Sequence, residues 1–164
     1  MFITWKKSLK NQKGFTLVEL LAVIVILGII AAIAVPSIGN VIENSKKDAT
    51  VANAEQMIEA SRLLVTSENI PTGDNASVTI DLKDDGNETY SLIGDGYLSS
   101  DLKDPDGNSY ESGGVEVTKA DSGSMSYSVY LDAGNDNYDI GSSGNSNNPD
   151  FIKSEDLNRG KVGN

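Results

Sequence analysis

Enzyme chemistry requires side chains that exchange protons, attack electrophiles or hold metals, and this 164-residue chain has few kinds of them. It has no histidine and no cysteine. Disulfide scaffolds and Cys/His zinc sites are therefore excluded, as is any triad built on His or Cys. Carboxylate dominates what remains: 24 Asp and Glu face 13 Lys and Arg, a formal charge of −11. Two stretches gather oxygen donors at short spacing, Asp104-Pro105-Asp106-Gly107-Asn108 and the run from Asp132 to Asp139. Hard cations such as calcium favour such ligands. Neither stretch follows the EF-hand pattern, because no Glu closes a loop opened by alternating Asp. The second is the better calcium candidate, with Asp132, Asp136 and Asp139 as ligands. The simpler reading, which we prefer, is that Asp, Asn and Gly make turns and keep the surface soluble, so the expected cofactor is none. Ser and Lys occur without a nucleophile motif, and the acids sit in turn-like surroundings rather than apolar ones that would perturb a pKa. No catalytic residue is expected, and no enzyme.

One carboxylate stands apart. Phe15 to Ile38 reads FTLVELLAVIVILGIIAAIAVPSI, 24 residues whose single charge is Glu19. Lys6, Lys7, Lys10 and Lys13 precede it with no acid among them. A basic stretch followed by an apolar one is the plan of a targeting segment, but a secretory signal has a core of roughly 7–15 residues and a small-residue cleavage site. This run is longer, and nothing like A-x-A follows it. At about 20 residues per bilayer crossing it can span a membrane as a helix, and the positive-inside rule places the four lysines in the cytoplasm. Acidic groups inside such a span are rare and costly. Glu19 either reaches the headgroups from its place near the start of the run or meets a positive partner within a helix bundle.

The residues from Lys13 to Leu21, K-G-F-T-L-V-E-L-L, resemble the processing and assembly motif of type IV prepilins and pseudopilins. The resemblance runs from Lys13 to around Ser45, about a quarter of the chain. It implies that a prepilin peptidase cuts between Gly14 and Phe15 and that the new amino group of Phe15 is methylated. It further implies that Glu19 neutralises the amino terminus of a neighbouring subunit, that Pro36 is the family's helix-bending proline, and that Gly28 softens the helix. Removing Met1–Gly14 takes away four lysines and no acid, leaving 9 basic against 24 acidic residues, or −15. A weaker likeness to a pilin segment lies in G-Y-L…K-D-P-D-G-N-S-Y, within Gly96 to Tyr110. Some type II secretion pseudopilins carry calcium in a C-terminal loop, which adds weight to the Asp132–Asp139 candidate.

The elements that must carry these groups can also be read. Beyond Pro36 the helical pattern continues, with Val51, Ala54, Met57 and Ile58, Ser61, and Leu64 and Val65 recurring at steps of three or four. Ile70-Pro71-Thr72-Gly73 then ends it. Phe15 to Glu68 is about 54 residues, roughly 80 Å of helix, apolar all round in its first half and amphipathic in its second. Pro36 removes a backbone hydrogen bond and either kinks or locally melts the helix. From Ile70 onward the pattern is strand and turn. Ser77–Leu82, Val115–Thr118 and Ser126–Leu131 alternate apolar with polar as half-buried antiparallel strands, the last two joined by a turn over Lys119–Ser124. Asp84–Asn87 is a turn, and Tyr90–Leu98 a short helix or loop with Leu92, Ile93, Tyr97 and Leu98 as core candidates. The segment from Asn135 to Pro149 is low in complexity and expected to be mobile, while Phe151, Ile152 and Leu157 tack the tail back.

The expected fold class is α+β: a long N-terminal α-helix packed on a small antiparallel β-sheet, like a type IV pilin. The expected organisation is a leader over 1–14, a transmembrane and filament-core helix half over 15–38, an amphipathic half over 39–69, and an acidic β-rich domain over 70–164. By the resemblance, the function is a structural subunit of an extracellular type IV pilus serving adhesion, surface motility or biofilm, membrane-anchored before assembly and on the cell surface after it. Partners are further copies in a helical filament, the prepilin peptidase, the inner assembly machinery and other pilins. The alternative is a pseudopilin or minor pilin of a type II secretion or DNA-uptake apparatus. The absent cysteine resembles Gram-positive pilins, which often lack the C-terminal disulfide. Direct contact with nucleic acid is not expected, since phosphate rewards clustered cations.

Overall fold

The structure, a computed structural model, describes residues 12–68, 70, 76–84, 86, 90–99, 102–134, 137–141 and 149–163, with backbone alone for 12–15. One α-helix, α1, runs from Gln12 to Ser67. Four antiparallel strands follow, β1 (Ser77–Asp81), β2 (Ser112–Lys119), β3 (Met125–Asp132) and β4 (Ile152–Lys153), with a 3-10 turn over Arg159–Lys161. Their order across the sheet is the order of the chain, with a short hairpin turn between β2 and β3 and long connections at the other two junctions. The α+β architecture expected from sequence is the one observed.

By contacts the chain divides into two compact units, residues 1–43 and 44–164. In the first, α1 is an apolar helix whose described side chains are almost all exposed. It is helical without interruption through Pro36, so the local melting allowed by the missing donor does not occur here. Among the described residues this is the one helix long and apolar enough to cross a membrane, with a mean hydropathy of 3.0 in its most apolar window.

The second unit holds the core. The α1 stripe lies in it as expected: Ala54, Met57 and Leu64 are fully buried, with Ile58 and Val65 close behind. Ser61 and Thr50 are buried too, which costs little because each hydroxyl donates to the carbonyl four residues earlier, Met57 at 2.8 Å and Lys46 at 3.3 Å. Ile80, Val115, Val117, Val129 and Leu131 supply the inner face of the sheet. Val115 pairs with both Ile80 and Val129, so one rung across three strands is apolar, and alternation carries their neighbours to the other face. Gly113 lets β2 approach α1: a Cβ there would meet Met57 Cε at 3.4 Å and the Tyr130 carbonyl at 3.3 Å. Leu92 and Leu98 are buried and Ile93 and Tyr97 half-buried in a series of turns, not a helix. Pro71–Gly73, the expected helix stop, lies outside the described residues; α1 ends with Glu68 N–H on the Leu64 carbonyl at 2.9 Å.

One expectation needs correction. The segment from Asn135 to Pro149 is not uniformly without anchors: Tyr138, Asp139 and Ile140 are buried, Ile140 completely. Ile140 exchanges backbone hydrogen bonds with Leu131 at 2.8 and 2.9 Å and bridges to Val162 on its other side. A single isoleucine thus extends the sheet where the surrounding Asp, Asn and Gly gave no alternation to read. Residues 135–136 and 142–148 lie outside the described set. The tail is tacked down as expected and more firmly: Ile152 joins β4, Phe151 packs edge-on to Tyr130 at 5.1 Å, and Val162 is 1% exposed.

Candidate processing and assembly segment

Gly14 and Phe15 both lie in the first turns of α1. Their side-chain surroundings fall outside the described residues, so their processing roles stay with the sequence motif. Glu19 is exposed on the same helix, four residues and therefore about one turn past Phe15. Around and beyond it, sixteen large apolar side chains from Leu17 to Ile42 are between 51% and 72% exposed. Among the described residues nothing covers them. Full burial of one such side chain stabilises by about 1.5–3 kcal/mol, so this surface requires lipid or other helices. Around Gly28 and Gly39 there is open space, with no atom within 4 Å of where a Cβ would stand. Among the described residues these glycines face no close neighbour, so they either soften α1 or let another helix approach. Pro36 is exposed on the same stretch.

Where α1 enters the second unit, polar ties replace apolar exposure. Lys46 Nζ donates to Asp106 Oδ1 at 2.6 Å and lies 5.9 Å from the centre of the Tyr138 ring. Hydrogen bonding to Asp106 raises the Lys46 pKa, and the same bond lowers that of Asp106. The Arg159 guanidinium grips both oxygens of Asp48, Nε reaching Oδ1 at 2.7 Å, and this hydrogen bonding holds the Asp48 pKa below the usual carboxylate value. Asn53 Nδ2 donates to the Lys103 carbonyl and the Tyr110 hydroxyl, both at 2.8 Å. Tyr110 is fully buried, and burial raises its pKa. Sequence reasoning missed these ties because partners such as Asp48 and Arg159 stand 111 positions apart. Besides Phe151, Ile152 and Leu157, already read as tacking the tail back, one further signal was available in Val162, the apolar residue of the stretch after Leu157.

The calcium candidates come together only in part. Asp139 is buried, and its Oδ1 accepts from the Ala133 N–H at 2.8 Å. Asp132 Oδ1 accepts from Gly134 N–H at 2.8 Å, and Asp136 lies outside the described residues. In the other acidic loop, Asp104 Oδ1 accepts from the N–H groups of Asp106 and Asn108 at 3.0 and 2.7 Å. These carboxylates close turns in the way Asp does throughout loops. Among the described residues, no three acidic side chains converge as a metal site would require.

A helix long and apolar enough to cross a membrane, whose second half packs on a small antiparallel sheet, fits a membrane-anchored subunit. Comparison with known proteins agrees. Residues 9–35 match the family model described as the prokaryotic N-terminal methylation motif. The type II secretion system core protein G of Vibrio cholerae is 30% identical over 106 residues, covering 64% of this chain and 73% of that one. Its namesake in Pseudomonas aeruginosa is 34% identical over 106 residues, with 62% and 73% covered. A type IV major fimbrial protein FimA of Dichelobacter nodosus is 48% identical over 46 residues, 28% of this chain and 30% of that protein. No solved structure matches at comparable significance. The chain belongs to the type IV pilin and pseudopilin family, as a cysteine-free member.

Proposed function

We propose that this protein is the structural subunit of an extracellular type IV pilus. The observation that carries the proposal is the run of sixteen exposed apolar side chains on α1, interrupted by one acid a single turn after Phe15. Lipid solvates that surface before assembly. After extraction from the bilayer, the same surface is buried against copies of itself, and a heterologous contact of this kind grows a filament instead of closing a ring. Residues 1–14 are the leader, cut by the prepilin peptidase between Gly14 and Phe15, with methylation at Phe15. Glu19 then meets the amino terminus of a neighbouring Phe15, an ion pair that removes the cost of an isolated acid in an apolar bundle. Pro36, which lies within an uninterrupted helix in the single chain, marks where the helix yields when the filament requires it. The 15–38 segment is the span and filament core, 39–69 the half that carries the domain, and 70–164 the surface displayed outside the cell. Other pilins and the inner assembly machinery are its partners, and adhesion, surface motility or biofilm its uses.

Electron microscopy of cells lacking the gene tests this reading. Loss of surface filaments, restored by the wild-type gene, supports it, and filaments unchanged in number and length refute it. A bulky residue in place of Gly14 should leave the leader attached, detected as a mass difference. A second reading has its own support: the core protein G relatives match over 106 residues, beyond the helix and into the sheet domain, whereas the FimA match of 48% spans 46 residues. Under it, the chain is a pseudopilin or minor pilin of a secretion or DNA-uptake apparatus, and the deletion abolishes export or uptake while surface filaments persist. The processed charge of −15 argues against DNA lying along this subunit itself.

A further inference from the structure

The second unit carries a cleft that the anchor and the assembly motif do not use. It is about 340 Å³ and lies between α1 and the C-terminal segment. Its walls include the nearly buried Ile58 and the half-buried Leu157, with Glu55, Glu59 and Glu155 around them. Arg62 is the single cation in the lining, engaged with Glu59 at 2.9 Å and lying 5.1 Å from the Tyr127 ring centre, and Lys153 at the rim lies 4.0 Å from Glu155, which leaves Glu55 as the carboxylate in excess. An apolar floor beneath an excess of carboxylates suits a long side chain with a methylene stem and a cationic head.

The opposite flank of the same helix presents such a group. Asn53 and Arg62 are nine residues apart and so roughly half a turn apart round the axis, with the buried stripe of Ala54, Met57, Ile58 and Ser61 between them. Asn53 holds the Lys103 carbonyl at 2.8 Å, which fixes the Lys103 loop to that far flank. Lys103 is exposed. The acids following it in sequence are engaged elsewhere, Asp104 turned inward onto backbone amides and Asp106 on Lys46. Among the described residues Lys103 makes no ion pair.

We infer that Lys103 of one copy docks in the Glu55–Glu59–Glu155 cleft of the next copy. The inference rests on the filament reading above and deepens it, since the anchor helices alone leave the displayed domains unspecified. Subunits of charge −15 repel one another, and a contact that sets a cation against excess carboxylate offsets this while fixing register. Because the two patches lie on opposite flanks, the contact is head-to-tail, and in the helical filament proposed above it repeats along the fibre.

The cysteine-free chain makes the test clean. Cells carrying the double variant Lys103→Cys with Glu155→Cys are sheared, and their filaments are treated with a bis-maleimide cross-linker of about 8–10 Å reach, because a Lys–Glu contact holds the two Cα atoms beyond the roughly 7 Å that a disulfide spans. The expected result is a ladder of dimers and higher multimers, absent from each single-cysteine variant. Lys103→Glu or Glu155→Lys alone should lower filament yield several-fold, and combining them should restore it; both positions are exposed, so folding is not at stake. Wild-type-like filaments that give no ladder overturn this contact alone. A cross-link to a different protein in place of the ladder also overturns it, since the occupant is then not a second copy. A wild-type strain without any filaments overturns the filament reading and this contact with it.

Discussion

Replacing Ile140 by alanine puts the packing of the C-terminal region to the test. Ile140 is fully buried, hydrogen-bonded on both its N–H and its carbonyl to Leu131, and bridged on the other side to the nearly buried Val162. The neighbouring backbone is held as well, with Gly163 N–H on the Asp139 carbonyl at 2.9 Å. Removing three buried carbons from so enclosed a site costs about 2–5 kcal/mol, and Ile140→Val about 0.5–1.5 kcal/mol. At about 3–6 °C per kcal/mol for a domain of intermediate size, alanine should lower the midpoint by on the order of 10 °C and valine by a few degrees. The assay is thermal unfolding of the processed protein in detergent, followed by near-ultraviolet circular dichroism. All six tyrosines lie between Tyr90 and Tyr138, so that signal reports the second unit and not the apolar helix, which detergent keeps folded. A shift below about 2 °C for the alanine variant, or no difference between alanine and valine, would refute the packing argument and restore the mobile segment that composition alone suggested.

Glu19→Ala should leave leader cleavage largely intact while sharply reducing assembled filament, scored by mass spectrometry and by sheared yield; normal yield would remove the intersubunit pairing. The ion pairs at the base of the domain give a pH dependence of known sign. Asp48 and Asp106 have lowered pKa values, so their contribution is present above the ordinary carboxylate pKa and is lost as pH falls through the depressed folded values. Acid should therefore loosen the tail, seen as lower amide protection factors at residues 159–163 once the slower intrinsic exchange at acid pH is divided out, and Asp48→Asn should show that loss of protection already at neutral pH. Equal exchange in wild type and variant would count against the clamp. Stripping divalent cations with EDTA should leave the melting temperature unchanged, because Asp132 and Asp139 are engaged with backbone amides; a drop of several degrees would place calcium in the Asp132–Asp139 loop.

How far the sequence could be read depended on how local each cause was. The helix was legible over almost all its length, because a run of twenty-four residues with a single charge and then a period near 3.6 leave few alternatives; its first turn, from Gln12, lay ahead of the apolar run. β2 and β3 were legible because Val115, Val117, Val129 and Leu131 alternate with polar partners. β4 was not, since two residues, Ile152 and Lys153, carry no period. The N-terminal methylation motif was legible for a different reason: it is a linear segment, matched over residues 9–35, and needs no fold to be recognised. Sites assembled from distant segments stayed hidden. Lys46 meets Asp106 across 60 positions and Asp48 meets Arg159 across 111, and no local pattern announces either.

Those hidden ties bear on the missing cysteine. A covalent bridge stabilises mainly by limiting the unfolded chain, and its effect grows with the loop it closes. Here the C-terminal segment is closed by other means: Val162 buried in the core, Ile152 paired with Val129, Ile140 between Leu131 and Val162, and Arg159 clasping Asp48 on α1. The close approach at Gly141, where a Cβ would stand 2.1 Å from the Asp150 carbonyl and φ is +78°, shows how tightly the two ends of that loop are held. Burial and strand pairing resist salt, whereas an exposed pair such as Asp48–Arg159 weakens with it. The closure should therefore divide under high salt, the clasp loosening at residues 159–161 while Ile140 and Val162 stay protected. A disulfide would hold both together, so graded release of the tail is a property this chain has because it lacks one.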